Sequence, residues 1–183
     1  MAVAALCVFL PAAGRAGESA PTKHRLVALY SAGAFDANVD TRYRVVKGAG
    51  THGLVIGYRR VVLPWFDLAL TAQADWLMSS PAGLLTSAVV GVHFHPSEIA
   101  GPFVLFGVGV LRVDTHEGTR LERQYWSLQP ALRVVAGWTL VPVKGVAFVL
   151  QVALLGAGPG WGAIGTPLFA GAIQGQTGMV FDL

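Results

Sequence analysis

The sequence predicts an all-β chain: a closed, eight-stranded, antiparallel up-and-down transmembrane β-barrel. Three observations carry that prediction. First, residues 65–77 (WFDLALTAQADWL) alternate, with Phe66, Leu68, Leu70, Ala72, Ala74 and Trp76 on one side and Asp67, Ala69, Thr71, Gln73 and Asp75 between them. Successive side chains of a strand point to opposite faces, so this ribbon has one apolar and one polar face. Second, aromatics close both ends of the apolar face, and about ten tilted residues flanked by aromatic girdles are what a bilayer-spanning strand requires. Third, hydrophobic residues make up 54% of the 183, charged residues only 13%, and the mean hydropathy is +0.56. A soluble domain carries roughly 25% charged residues.

The chain begins with an apolar run, AVAALCVFLPAA (residues 2–13), followed by small residues. Residues 1–20 therefore read as a signal-peptide-like export segment, although no Lys or Arg precedes the run, and residues 21–183 read as the barrel. Cys7 follows Leu6, where a lipidation site wants a small residue, and cleavage would leave a mature chain without cysteine.

Residues 24–35 read as the first strand. In the second, residues 51–62, Leu54, Ile56 and Tyr58 oppose Gly53, Gly57 and Arg59. Residues 65–77 form the third. The fourth, residues 84–94, sets Leu84, Ala88, Val90, Val92 and Phe94 against Ser87, Gly91 and His93. The fifth, residues 103–113, sets Val104, Phe106, Val108 and Val110 against Gly107 and Gly109.

The sixth, residues 125–140, places Trp126 and Trp138 on one apolar face, twelve positions apart. That is about 40 Å along a strand, or about 28 Å of depth once tilted. Pro130 cannot donate to a ladder, so it needs a bulge or a local gap. The seventh, residues 146–155, opposes Gln151 to Val146, Phe148, Leu150, Val152 and Leu154, and the last, residues 168–183, ends with Met179, Phe181 and Leu183 in alternate positions.

Long connections at 36–50, 114–124 and 156–167 separate shorter ones, as in a barrel with loops on one side and turns on the other. A helical membrane protein is the rival, drawn through residues 134–157, but Pro142, Lys144 and Gly145 interrupt it and period-2 alternation has no cause in a helix. A soluble barrel would show the same alternation with the apolar face turned inward. The aromatic strand ends, low charge and export-like leader favour the membrane version.

An eight-stranded barrel is filled by side chains. The expected lumen network is Asp67, Gln73, Asp75, Gln129, Arg133 and Gln151, joined by Thr71, Ser87, His93 and Ser127, with Arg59 and Arg112 as further candidates. Buried charges need partners, so Arg133 is expected against Asp67 or Asp75. The expected interface aromatics are Phe66, Trp76, Trp126, Trp138 and Phe181. His93 and His95 share a face and could share a metal, with Glu98 as the only local third ligand; a polar pair at a strand end is the simpler reading, and no metal or cofactor is assigned. Residues 156–162 (GAGPGWG) lack the Lys and Ser/Thr of a phosphate loop, and the basic spots, Arg42 with Arg44 and Arg59 with Arg60, form no nucleic-acid footprint.

Over roughly residues 25–183 the chain resembles small outer-membrane β-barrels of the OmpA/OmpX type, in strand pattern, strand count and the alternating apolar ending at Phe181 and Leu183. The resemblance implies the outer membrane of a Gram-negative bacterium, contact with lipid and lipopolysaccharide, and delivery to the barrel-insertion machinery through the last strand. It implies a structural or surface-interaction protein without an open pore, whose extracellular partners meet loops 36–50, 114–124 and 156–167. Two alternatives are a narrow small-solute channel and a lipid-modifying enzyme. The enzyme reading rests on His95 and Ser97, a pair like that of lipid A deacylase barrels, and no catalytic residue is assigned.

Overall fold

The computed structural model describes residues 23–39, 45–78, 82–96, 100–116, 124–143, 145–158, 161–162 and 167–183. They form β1 (His24–Val39), β2 (Val45–Leu63), β3 (Phe66–Leu77), β4 (Ala82–Phe94), β5 (Gly101–His116), β6 (Gln124–Val143), β7 (Val146–Ala157), β8 (Trp161–Gly162) and β9 (Pro167–Asp182). All pairings are antiparallel; consecutive strands pair from β1 to β7, β7 pairs with β9, and β9 returns to β1 from Arg25↔Asp182 to Val39↔Pro167. The two-residue β8 pairs with β6 beyond the end of β7, so eight long strands close the barrel. No edge remains among those eight, which satisfies the backbone without water.

Both ends of the barrel follow from connection length. One carries the Leu63–Phe66 and Val143–Val146 turns, the β4–β5 connection, the start of β1 and the end of β9; we call it the turn end. In the β6–β7 turn Gly145 holds φ 83°, a left-handed conformation that a Cβ disfavours. The opposite, loop end extends further than the sequence suggested. Residues 36–39 and 45–50 were expected in a loop, but they continue the β1–β2 ladder through Ala37↔Val46 and Asn38↔Val45, across a register shift between Phe35 and Ala37. Likewise Asp114, Thr115 and His116 pair with Trp126, Tyr125 and Gln124, and Gly156 and Ala157 extend β7. Antiparallel pairing propagates while backbone groups can meet, even where side-chain alternation has faded.

Pro130 occupies a gap rather than a bulge. Its register with Val110 on β5 is unbroken, and its carbonyl accepts from Gly158 N at 3.0 Å. A residue's N and O point to the same side of a strand. The missing donor of Pro130 therefore faces the break between β7 and β8.

The apolar sides face outward. Leu54, Ile56, Leu68, Val90, Val108, Leu132, Leu150 and Ile173 are exposed, Leu132 by 63%. Trp65, Phe66 and Phe94 cluster near the turn end, with Phe66–Phe94 centroids 5.4 Å apart, and Trp138, Phe148 and Phe181 lie near the same end. Trp76 is exposed toward the loop end and stacks on His52 at 5.7 Å. Trp126 pairs with Asp114 at that level; its side chain lies outside the described residues. A contiguous apolar belt around a closed sheet far exceeds the few hundred Å² that a soluble monomer exposes.

Inward positions alternate with these. Two apolar clusters fill the lumen, one toward the loop end around Phe35, Leu77, Leu85 and Leu111, the other toward the turn end around Val27, Val55, Phe103 and Val149. The interior is thus mostly apolar, with polar side chains concentrated between and below these clusters.

Candidate functional site

A belt of amides and charges crosses the lumen between the two apolar clusters. Gln73 and Asp75 come from β3, Gln174 and Gln176 from β9, Arg133 from β6, Gln151 from β7 and Ser31 from β1, and all are buried. Asp75 accepts from Ser31 Oγ, from Gln73 Nε2 and from Gln174 Nε2, the last at 2.7 Å. Gln73 Nε2 also donates to Gln174 Oε1 at 2.6 Å. Gln176 Oε1 accepts from Gln151 Nε2 at 2.6 Å and from Arg133 Nη2 at 2.9 Å. Gln176 Nε2 donates to Gln174 Oε1 at 3.3 Å, so a continuous chain of hydrogen bonds links the Asp75 carboxylate to the Arg133 guanidinium through Gln174 and Gln176. Gly53 makes room for it, because a Cβ there would meet Asp75 Oδ1 and Ala74 O.

The expected ion pair of Arg133 with Asp67 or Asp75 is replaced by this relay. The β3 and β9 side chains that meet at the barrel centre are amides, and they separate the two charges. Arg133 Nη1 has no partner among the described residues. Between the belt and the turn end lies a cavity of about 10 Å³, lined by Arg59, Thr71, Arg133, Gln151 and neighbouring apolar groups. That holds about one water.

A second polar cluster lies at the turn end. Asp67 is fully buried and stands beside His93 in the β3–β4 register. His95 lies past the end of β4, yet its backbone N donates to Trp65 O at 3.0 Å and keeps the side chain inward. His93 Nδ1 lies 3.2 Å from Asp67 Oδ2, and His95 Nε2 lies 3.2 Å from Asp67 Oδ1. Arg25 Nη1 reaches Asp67 Oδ2 at 3.4 Å, while its Nε donates to Asp182 Oδ1 at 2.9 Å. Arg59 Nη1 donates to His93 Nε2 at 3.0 Å, and the guanidinium sits 5.6 Å from the Phe103 ring centroid.

Of the other expected lumen residues, Ser87 and Gln129 are buried and Thr71 is half-buried. The side chain of Ser127, and Glu98 and Ser97 altogether, lie outside the described residues. Arg112 is corrected: it points outward and its Nε donates to Asp114 Oδ2 at 2.7 Å. Polarity suggested the lumen for Arg112, but the parity of β5 places it with Val108 and Val110, and a strand cannot turn one residue without slipping all the others. Sequence reasoning missed Ser31, Gln174, Gln176 and Arg25. The available signal was parity, since Gln174 and Gln176 alternate with the outward Ile173 and Met179.

A closed eight-stranded barrel with an apolar exterior and a filled interior is the architecture of the small outer-membrane β-barrels. The chain is similar to Neisserial surface protein A (NspA), with a TM-score of 0.64 and 11% identity over 87% of this chain and 96% of that one. It is also similar to Ail, the attachment invasion locus protein of Yersinia pestis, with a TM-score of 0.52 and 14% identity over 87% and 99% of the two chains. Ail in complex with the heparin analogue sucrose octasulfate gives 0.50 and 13% over the same shares. No family model matches the chain, and no curated protein does. At such identities the likeness is one of fold.

Proposed function

We propose that this protein is an outer-membrane structural and surface-interaction barrel of a Gram-negative bacterium. Its wall lies in lipid, its lumen is shut by side chains, and its loop end faces outward. The observation that carries the reading is the combination of an outward apolar belt with a lumen filled by buried side chains. The first demands a bilayer, and the second argues against solute conduction. The described lumen residues supply a hydrogen-bond network, and His95 turns its Nε2 to Asp67.

Recognition falls to the loops, which a rigid scaffold can vary. Arg42, Arg44 and Lys47 lie in 36–50 and suit an anionic partner such as a sulfated glycan, the chemistry of the heparin analogue in the Ail complex. Membrane fractionation with boiled and unboiled gel lanes tests the assignment. Outer-membrane recovery with a heat-dependent mobility shift is expected; a soluble protein with one mobility contradicts it.

A further inference from the structure

At the turn end the lumen opens into a cavity of about 440 Å³, lined by Lys23, Arg25, Arg59, His93, His95 and Asp182 among others. The cations are unequally served. Arg25 has Asp67 and Asp182. Arg59 is only 5% exposed, and among the described residues no carboxylate lies within ion-pair distance of it. Its protein hydrogen bond goes to a histidine nitrogen. Asp67 attracts Arg59 only from the far side of His93, and a buried guanidinium has five N–H donors to satisfy.

Asp67, His93 and His95 could be taken for a metal site, since their ligand atoms lie within 4.8 Å of one another. The surroundings oppose it. Arg59 donates to His93 Nε2, so that nitrogen is the acceptor and the ring proton sits on Nδ1, facing Asp67. A metal on Nδ1 would need the opposite tautomer, and it would compete with Arg25 for Asp67 Oδ2. The geometry instead places Asp67 beside His93, with His93 Nε2 accepting from Arg59 and holding it at the wall of the cavity.

We infer that this turn-end cavity binds a small oxyanion, of the phosphate or carboxylate class, on the Arg59 guanidinium. Among the described residues, Arg25 is engaged by Asp67 and Asp182, which leaves the Arg59 guanidinium as the group at the cavity wall with no carboxylate in contact. Arg59 presents the planar fork that such anions accept in bidentate fashion. The Phe103 ring and the His93 bond fix the fork, and the cavity leaves room for the anion and the group that carries it.

The test uses the full chain refolded in an uncharged detergent, with heat-modifiable migration as the folding control. Inorganic phosphate is titrated calorimetrically at constant ionic strength set with chloride. Saturable binding at about millimolar concentration is expected. Arg59→Gln should weaken it at least about tenfold, the scale of losing a charge-assisted hydrogen bond. Arg59→Lys, which keeps the charge and loses the fork, tests the site if the Gln variant fails to fold, and weaker binding is again expected. Arg60→Gln, on the outer face, should bind like wild type. A short-chain phosphatidylglycerol arm separates sources: binding that tracks the lipid and not free phosphate assigns the site to a headgroup. Absence of saturable binding of either probe, equal binding by both Arg59 variants, or tight Zn²⁺ binding lost on His93→Ala and indifferent to phosphate would overturn the proposal.

Discussion

Leu132→Arg is the sharpest perturbation of the outer face. Leu132 is exposed on β6, six positions from Trp126 and six from Trp138. Six residues span about 20 Å of strand, or about 14 Å of depth when tilted by roughly 45°. The side chain therefore lies at the middle of the belt. An Arg at the bilayer midplane costs about 2–4 kcal/mol, and near an interface about 0–1. Leu140, also exposed, lies two positions beyond Trp138 toward the turn end and serves as the interfacial control. The two variants should differ by about 2–3 kcal/mol, which is roughly 30- to 150-fold in the folding equilibrium. Reversible guanidinium unfolding in lipid vesicles, followed by tryptophan fluorescence, measures both. Equal stability of Leu132→Arg and Leu140→Arg would refute the reasoning, because only a lipid environment makes depth matter.

Other consequences follow from the lumen. Arg133→Ala strips a donor from Gln176 and should cost about 1–3 kcal/mol, read from the denaturant midpoint, with an unchanged midpoint counting against the relay. Gly53→Ala drives a Cβ against Asp75 and Ala74 O and should destabilise by about 1–3 kcal/mol, whereas Gly156→Ala, where a Cβ meets nothing within 4 Å, should be tolerated. Asp67→Asn weakens the acceptor shared by Arg25, His93 and His95 and should cost about 1.5–3 kcal/mol; retention of wild-type stability would show the cluster to be idle. Planar-bilayer recordings should show no discrete conductance steps, and regular steps would mean that the side-chain packing of the lumen opens.

Strand identity and the direction of each face were legible because alternation is a strict consequence of the pleat. Residues 65–77 and 125–140 declared both at once. The limits of β1 and β2 were not legible: Asp36, Asn38 and Lys47 broke the apolar pattern, while the pairing of Ala37 with Val46 depended only on backbone reach. The composition of the lumen was legible one strand at a time. Partnership was not, since whether Arg133 meets Asp75 or Gln176 depends on shear around the whole barrel. His93 and His95 were visible as a pair, but Asp67 joins them only through the β3–β4 register. Arg112 shows the reverse error, in which residue chemistry was preferred to parity.

The account rests on which neighbour in a strand touches lipid. Leu150 is 67% exposed and the adjoining Gln151 only 5%. Single cysteines at these two positions, in a Cys7→Ser background, can carry a small fluorophore in vesicles containing acyl-chain-brominated lipid. The label at position 150 should be strongly quenched by the bromines and the label at 151 hardly at all. Stronger quenching at 151, or none at either site, would contradict the outward orientation of the apolar faces.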